Sequence, residues 1–359
     1  MIRSFLSAYV FLWALSGSAR AGQHVIVISC DGMRPDVVEL LGAEHAPNLH
    51  RLVTEGASTA NARTDFDYSV TLPNHTCMIT GRRVVGEDGH GWKSNSTPKI
   101  GQMLHRNKKA YVRGMFCVAH DHGLRTALFA SKTKFKLYDL SYNDRSGAPD
   151  TTGEDNGRDK IDVFGFEEDT EIMVGKFLEA SADQPFNLAM LHLRDPDSAG
   201  HSQGWDLTVG SIYRKAIERI DAHVGKILAA IEADERLRGK TTLVITADHG
   251  GSFETKTHTR ATDPRNYTIP FYVWGPAVAA GADLYEINPS SRTDPGTSRP
   301  DYGADIPIPI RNGDAGNLAL RILGLPAIEG STINAAQDLL VSPVAQSAEP
   351  APEAGGRLP

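Results

Sequence analysis

Short apolar runs alternate with longer amphipathic stretches along most of this chain. Residues 24–30 (HVIVISC) form an unbroken, β-branched run, which predicts a strand buried on both faces. Residues 111–117 (YVRGMFC), 186–193 (FNLAMLHL), 241–247 (TTLVITA) and 271–274 (FYVW) are read as further buried strands. Between them, residues 47–55 place Leu49, Leu52 and Val53 on one helical face. Residues 212–231 repeat Ile212, Ala216, Ile220, Val224, Ile227, Leu228 and Ile231 at helical period. Strands that are apolar throughout, rather than alternating, are covered on both sides. The pattern therefore predicts an α/β fold: a doubly wound, mostly parallel central sheet with helices on both faces. No repeat or interdomain linker interrupts it, so residues 22–341 are read as one catalytic domain. Two polar segments, 132–169 and 283–309, fit the sheet poorly and read as loop insertions, either lids and substrate walls or plain surface.

The two ends depart from this pattern. Residues 1–21 combine Arg3, an apolar run from Phe5 to Leu15 and the small-x-small sequence Ala19-Arg20-Ala21. That order predicts a signal peptide cleaved after Ala21, and so a secreted or periplasmic protein. The run is shorter than the roughly 20 residues a membrane span needs, so no transmembrane span is expected in the mature form. Residues 342–359, rich in Pro, Ala, Glu and Gly, read as a disordered tail.

Composition narrows the function. The 359 residues carry 44 acidic and 37 basic side chains, a net charge of −7, which argues against bulk nucleic-acid binding. Three cysteines (Cys30, Cys77, Cys117) form no CxxC pair and no disulfide framework, whereas 13 histidines point to imidazole as the metal ligand. Nothing in the pattern specifies an oligomeric state.

The candidate chemistry lies where the strands end. After the first strand come Asp31 and Gly32; after FNLAMLHL come Asp195, Asp197 and His201; after TTLVITA come Asp248, His249 and Gly250. Ligands of open α/β sheets bind at these carboxyl ends. Each piece has an ordinary alternative: Asp31 as a helix cap, 248–250 as a turn, His201 as a surface residue beside a capped loop. Together they gather carboxylates and imidazoles at one edge, which is costly unless they are paired or metal-bound. Mixed Asp/His donors suit zinc, with manganese or another divalent ion compatible, and the number of acids suits two ions. Thr71, in Ser69-Val70-Thr71-Leu72-Pro73-Asn74-His75, falls at the start of a predicted helix, where free N–H groups favour an anion. It is either a simple cap or a nucleophile, whose hydroxyl a zinc ion would deprotonate. His120-Asp121-His122 reads as a second contact to the same edge or as a solvated turn.

Taken in order, CDGMRPD (30–36), APNLHRLVTEG (46–56), TLPNHTCMITG (71–81), HGWKSN (90–95), DPDSAGHSQG (195–204) and ADHGG (247–251) resemble the alkaline phosphatase superfamily. Within it they resemble the type I phosphodiesterase/nucleotide pyrophosphatase branch. The resemblance implies that Asp31, Asp248 and His249 hold one zinc and that Asp197 and His201 hold another. It implies a later histidine as third ligand of the second zinc, a role that falls to His258, at a shorter spacing than nucleotide pyrophosphatases show. Thr71 becomes the nucleophile and a ligand of the first zinc. Asn95, with the Leu72 backbone N–H, binds the non-bridging oxygens. The expected activity is cleavage of phosphate diesters or pyrophosphates in a small phosphorylated substrate, through a phospho-threonine intermediate. Sulfatases need Cys or Ser within C/S-x-P-x-R, and residues 71–75 supply neither that residue nor the Arg. Phosphomonoesterases pair Ser with an Arg clamp, so Thr71 with Asn95 implies fewer charged contacts, unless Arg125, Lys132 or Lys134 supplies one. A phosphomonoesterase or phosphonate hydrolase on the same scaffold is the alternative, and a non-catalytic metal- or phosphate-binding relative a more distant one. A dinucleotide-binding oxidoreductase is disfavoured because Cys30-Asp31-Gly32-Met33 contains no GxGxxG.

Overall fold

In the computed structural model of the protein, residues 23–65, 68–299 and 308–343 are described. The expected signal peptide and nearly all of the expected tail lie outside them.

Eight strands form one sheet: β1 (His24–Cys30), β2 (Ala57–Arg63), β3 (Thr126–Ala130), β4 (Val163–Phe166), β5 (Leu188–Leu193), β6 (Thr241–Thr246), β7 (Thr268–Trp274) and β8 (Ala282–Asp283). Their order across the sheet is β4-β3-β5-β1-β6-β7-β2-β8. β7 runs antiparallel to both neighbours, β6 and β2, and every other pair is parallel. The sheet is therefore mostly parallel, as expected. β1, β5 and β6 are buried along their whole length, which is why their sequences carry apolar runs rather than an apolar–polar alternation. Each fully buried Val, Ile or Leu of these strands contributes about 1.5–3 kcal/mol relative to exposure.

The helices Pro47–Glu55, Thr170–Asp183 and Ile212–Ala233 form one packed group on the sheet; Thr71–Thr80, Met115–Asp121 and Asp314–Ile322 form another. The first and third of these six begin and end within two residues of the periodicity reading. No helix among the described residues is long and apolar enough to cross a membrane.

Three expectations are corrected. Residues 111–117 are not a strand: Gly114 caps the helix Met115–Asp121, and β3 follows it. That helix is buried at every position, so it has no polar face to reveal its period. β2 (ASTANAR) lacks an apolar run and gave no strand signal. The segment 132–169 is not foreign to the sheet, because it supplies the helix Lys136–Tyr142 and the edge strand β4, paired in parallel with β3. The described part of 283–309 is anchored rather than loose. Buried Arg292 donates from Nη2 to Asp314 Oδ1 at 2.8 Å and from Nη1 to Asp338 Oδ1 at 2.9 Å, tying the segment to the C-terminal helix.

Candidate active site

Four neighbouring parallel strands, β3, β5, β1 and β6, end at one edge and deliver Lys132, Asp197, Asp31 and Asp248 respectively. Two sets of side chains there bring their donor atoms within 4.8 Å of one another: Asp31, Asp248 and His249, and Asp197, His249 and His258. The first is the triad expected from the sequence. In the second, His249 joins Asp197 and His258. His201 stands beside this set, its Nε2 3.3 Å from Asp197 Oδ1, with 48% of its side chain exposed.

Each carboxylate spends one oxygen on fixed donors and keeps the other bare. Asp248 Oδ1 accepts from the Gly32 N–H at 3.1 Å and the His249 N–H at 3.0 Å. Asp31 Oδ2 lies 2.7 Å from both Lys132 Nζ and His192 Nε2, and Asp197 Oδ2 accepts from Lys132 Nζ at 2.6 Å. The remaining oxygens, Asp31 Oδ1, Asp197 Oδ1 and Asp248 Oδ2, are buried without a hydrogen-bond partner, as is His249 Nε2. They face each other: His249 Nε2 lies 3.4 Å from Asp31 Oδ1, 3.4 Å from Asp248 Oδ2 and 3.6 Å from Asp197 Oδ1. Buried polar atoms are rarely left unpaired, and donor atoms gathered in two sets that share His249 fit divalent-cation binding.

The imidazoles are oriented for the same task. Nδ1 of His249 meets the Gly250 carbonyl at 2.8 Å, that of His258 the Ser69 carbonyl at 2.6 Å, and that of His201 the Lys256 carbonyl at 2.8 Å. A carbonyl at Nδ1 accepts its proton and leaves Nε2 as the metal-facing nitrogen. Electrostatics mark the cluster as well. Burial, then Asp31, pushes the Asp248 carboxyl up to about 7. Burial alone would raise Asp31 too, but Lys132, with His192 and His249, outweighs it and holds Asp31 well below the carboxylate range.

Two supporting residues were not placed by the sequence: Lys132, raised there only as a clamp for the phosphate, and Trp205. Lys132 bridges carboxylates from both sets, and its placement depends on β3, which periodicity had misplaced. Trp205 is fully buried and donates from Nε1 to the Gly32 carbonyl at 2.9 Å. Its ring lies so close to Gly200 and Gly251 that an added Cβ would sit 2.3 Å and 2.2 Å from it. The rings of His201 and His258 meet it edge-on, with centroids 5.5 Å and 5.8 Å away. One indole thus packs against all three segments that carry the acids.

Thr71 is the first residue of the helix Thr71–Thr80 and is buried. Its surroundings tie it to both sets. His75 Nδ1 meets the Thr71 carbonyl at 2.7 Å and lies 3.6 Å from Asp248 Oδ2. Ser69 binds His258 twice, through its carbonyl and by donating from Oγ to the His258 carbonyl at 2.7 Å. The Leu72 N–H, expected to face substrate, instead donates to Asn95 Oδ1 at 3.0 Å. Its role here is to fix the amide, which turns Nδ2 into the donating end of Asn95.

Of the three candidate clamp cations, Arg125 is elsewhere, its guanidinium 4.0 Å above the Phe186 ring. Lys132 and Lys134 are at the site: Lys132 pairs with Asp31 and Asp197, and Lys134 Nζ lies 3.2 Å from Asn95 Oδ1. His120-Asp121-His122 meets neither of its expectations: His120 and Asp121 are buried in an ion network, His120 Nδ1 lying 2.9 Å from Asp150 Oδ1 and Lys160 Nζ 3.6 Å from Asp121 Oδ1. All three cysteines are buried and free.

Comparison with known proteins adds a family. The profile of the type I phosphodiesterase/nucleotide pyrophosphatase family matches residues 25–294. Human ectonucleotide pyrophosphatase/phosphodiesterase family member 5 is 26% identical over 262 residues, covering 70% of this chain and 50% of the human one. The chain thus spans half the length of that relative. Among solved structures, murine ectonucleotide pyrophosphatase/phosphodiesterase 5 in complex with AMP superposes with a TM-score of 0.58 at 15% identity, over 88% of this chain and 99% of that one. A sulfatase-like protein from Bacteroides fragilis does so at 0.51 and 16%, over 90% and 79%. At these identities the two structures speak for the fold.

Proposed function

Because the chain belongs to the type I phosphodiesterase/nucleotide pyrophosphatase family, we propose that it hydrolyses phosphoric esters by passing the phosphoryl group through Thr71 at a site for two divalent cations. The observation that carries this reading is the set of four buried, unpartnered donor atoms beside the start of the Thr71 helix. Asp31, Asp248 and His249 would hold one ion; Asp197, His201 and His258 the other. Oxygen and imidazole donors suit zinc, and manganese is compatible. Bound there, the ions would supply positive charge that favours the ionised Thr71 hydroxyl and a departing oxygen.

The chain's own residues do the rest. The Thr71 Oγ–P bond forms as the P–O bond to the leaving group breaks. Water then attacks phosphorus, breaks the Oγ–P bond and releases phosphate or its ester. Asn95 Nδ2 binds a non-bridging oxygen and, held by the Leu72 N–H, is set before substrate arrives. Lys132 keeps the two carboxylates it touches ionised and aimed. Diesters and pyrophosphates, the classes in the relatives' names, are the first substrates to try, in a secreted or periplasmic setting.

The test is Thr71→Ala in metal-loaded protein. The reading expects kcat/KM to fall by at least about 10³-fold, with metal content by elemental analysis unchanged. Activity within about tenfold of wild type would overturn the nucleophile.

A further inference from the structure

We infer that Lys134 clamps the reacting phosphoryl group, and that preferred substrates carry a second negative charge at or beside that phosphorus, as monoesters and phosphoanhydrides do. This deepens the reading above and rests on it.

Two lysines leave the end of β3, and the structure treats them differently. Lys132 is consumed, its ammonium bound to Asp31 and Asp197. Lys134 has no ion pair among the described residues. Its Nζ lies 3.2 Å from Asn95 Oδ1, the same oxygen that accepts from the Leu72 N–H. Asn95 is therefore gripped by its carbonyl end from two sides, with Lys134 next to whatever its Nδ2 binds. An ammonium has three donors, and Asn95 takes one. The side chain is partly buried, and burial together with Lys132 weakens its hold on the proton, so an anionic partner is the group that would satisfy it. The field of Asp31, Asp197 and Asp248 acts on the same ammonium, which places it on the metal-binding edge rather than on open surface.

The substrate class follows from charge. A simple diester brings one negative charge shared by two non-bridging oxygens. A monoester brings up to two charges on three oxygens, and a phosphoanhydride brings the second charge on the adjoining phosphoryl. Only the latter two bring a second charge for an additional fixed cation to attract, and Coulomb attraction scales with that charge. Lys134 thus supplies the clamp that Thr71 and Asn95 lack by themselves.

The experiment compares wild type, Lys134→Met and Lys134→Arg in metal-loaded protein. kcat/KM is measured for p-nitrophenyl phosphate, inorganic pyrophosphate and bis-p-nitrophenyl phosphate. Lys134→Met is expected to lower the ratio of kcat/KM for either more highly charged substrate to that for the diester by about 30-fold, near 2 kcal/mol at 1.4 kcal/mol per tenfold. Lys134→Arg should keep that ratio within about fivefold. A fall that includes p-nitrophenyl phosphate supports the clamp on the reacting phosphoryl, whereas one confined to pyrophosphate would move the contact to the neighbouring phosphoryl and overturn that assignment. Calorimetry of inorganic phosphate on Thr71→Ala protein gives a readout apart from turnover, and adding Lys134→Met should weaken that binding about 30-fold. An unchanged ratio with unchanged phosphate affinity would overturn the clamp, even if all rates fell together, since that pattern belongs to a residue that only steadies Asn95. Full activity of Thr71→Ala would instead overturn the hydrolytic reading, while the phosphate titration would still decide on Lys134.

Discussion

Replacing Lys132 with Met should destabilise the metal-free protein strongly and the metal-loaded protein weakly. The ammonium lies 2.7 Å from Asp31 Oδ2 and 2.6 Å from Asp197 Oδ2, with its side chain only 13% exposed. At an effective dielectric near 20, unit charges about 4 Å apart attract by about 4 kcal/mol, so two carboxylates give about 8 kcal/mol gross. Returning the ammonium to water refunds several kcal/mol of desolvation, and removing one partner of a buried pair typically leaves a net loss of about 3–5 kcal/mol. Methionine keeps most of the stem's apolar volume, so packing changes little. Urea denaturation of chelated wild-type and variant protein reads the difference directly. Zinc should then narrow the gap, because two divalent charges neutralise the carboxylates that Lys132 neutralised alone. A loss under about 1 kcal/mol in the metal-free protein, or a gap that zinc leaves unchanged, would refute the idea that Lys132 compensates this cluster.

Gly251→Ala would drive a methyl into Trp205 and displace the loop behind Asp248 and His249. A cost of about 1–3 kcal/mol is expected from overpacking, with weaker zinc binding, both read by thermal melts with and without metal. Arg292→Met leaves Asp314 Oδ1 buried without its donor, with the Arg311 N–H still held at Oδ2, and should cost about 3–5 kcal/mol in urea, while zinc affinity stays at the wild-type value. Chelation should abolish hydrolysis, and zinc should restore it at two ions per chain by elemental analysis; a stoichiometry of one would remove the Asp197, His201 and His258 group as an independent site.

What the sequence revealed and what it hid divide by range of interaction. Asp31, Asp197, Asp248 and His249 were legible because each sits a few residues past an apolar run, and strand ends converge in an α/β sheet. The helix Ile212–Ala233 was legible because one stripe of it is buried and the other face wet. The helix Met115–Asp121 was not, because a segment buried all round has no period. That error concealed β3 and with it the place of Lys132 and Lys134. Trp205 was invisible for another reason: its role arises from Gly32, Gly200 and Gly251, three distant segments brought together only by the fold. The hydrogen bond from the Leu72 N–H to Asn95 Oδ1 was not legible either, since nothing local indicates that Asn95 would reach back to it.

The central claim is that phosphorus passes through Thr71. The stereochemical course at a phosphorus made chiral with sulfur and oxygen isotopes tests it most directly. Each in-line displacement inverts configuration, so transfer to Thr71 followed by attack of water predicts overall retention. Overall inversion would mean that water attacks the substrate in a single step, and it would contradict the account.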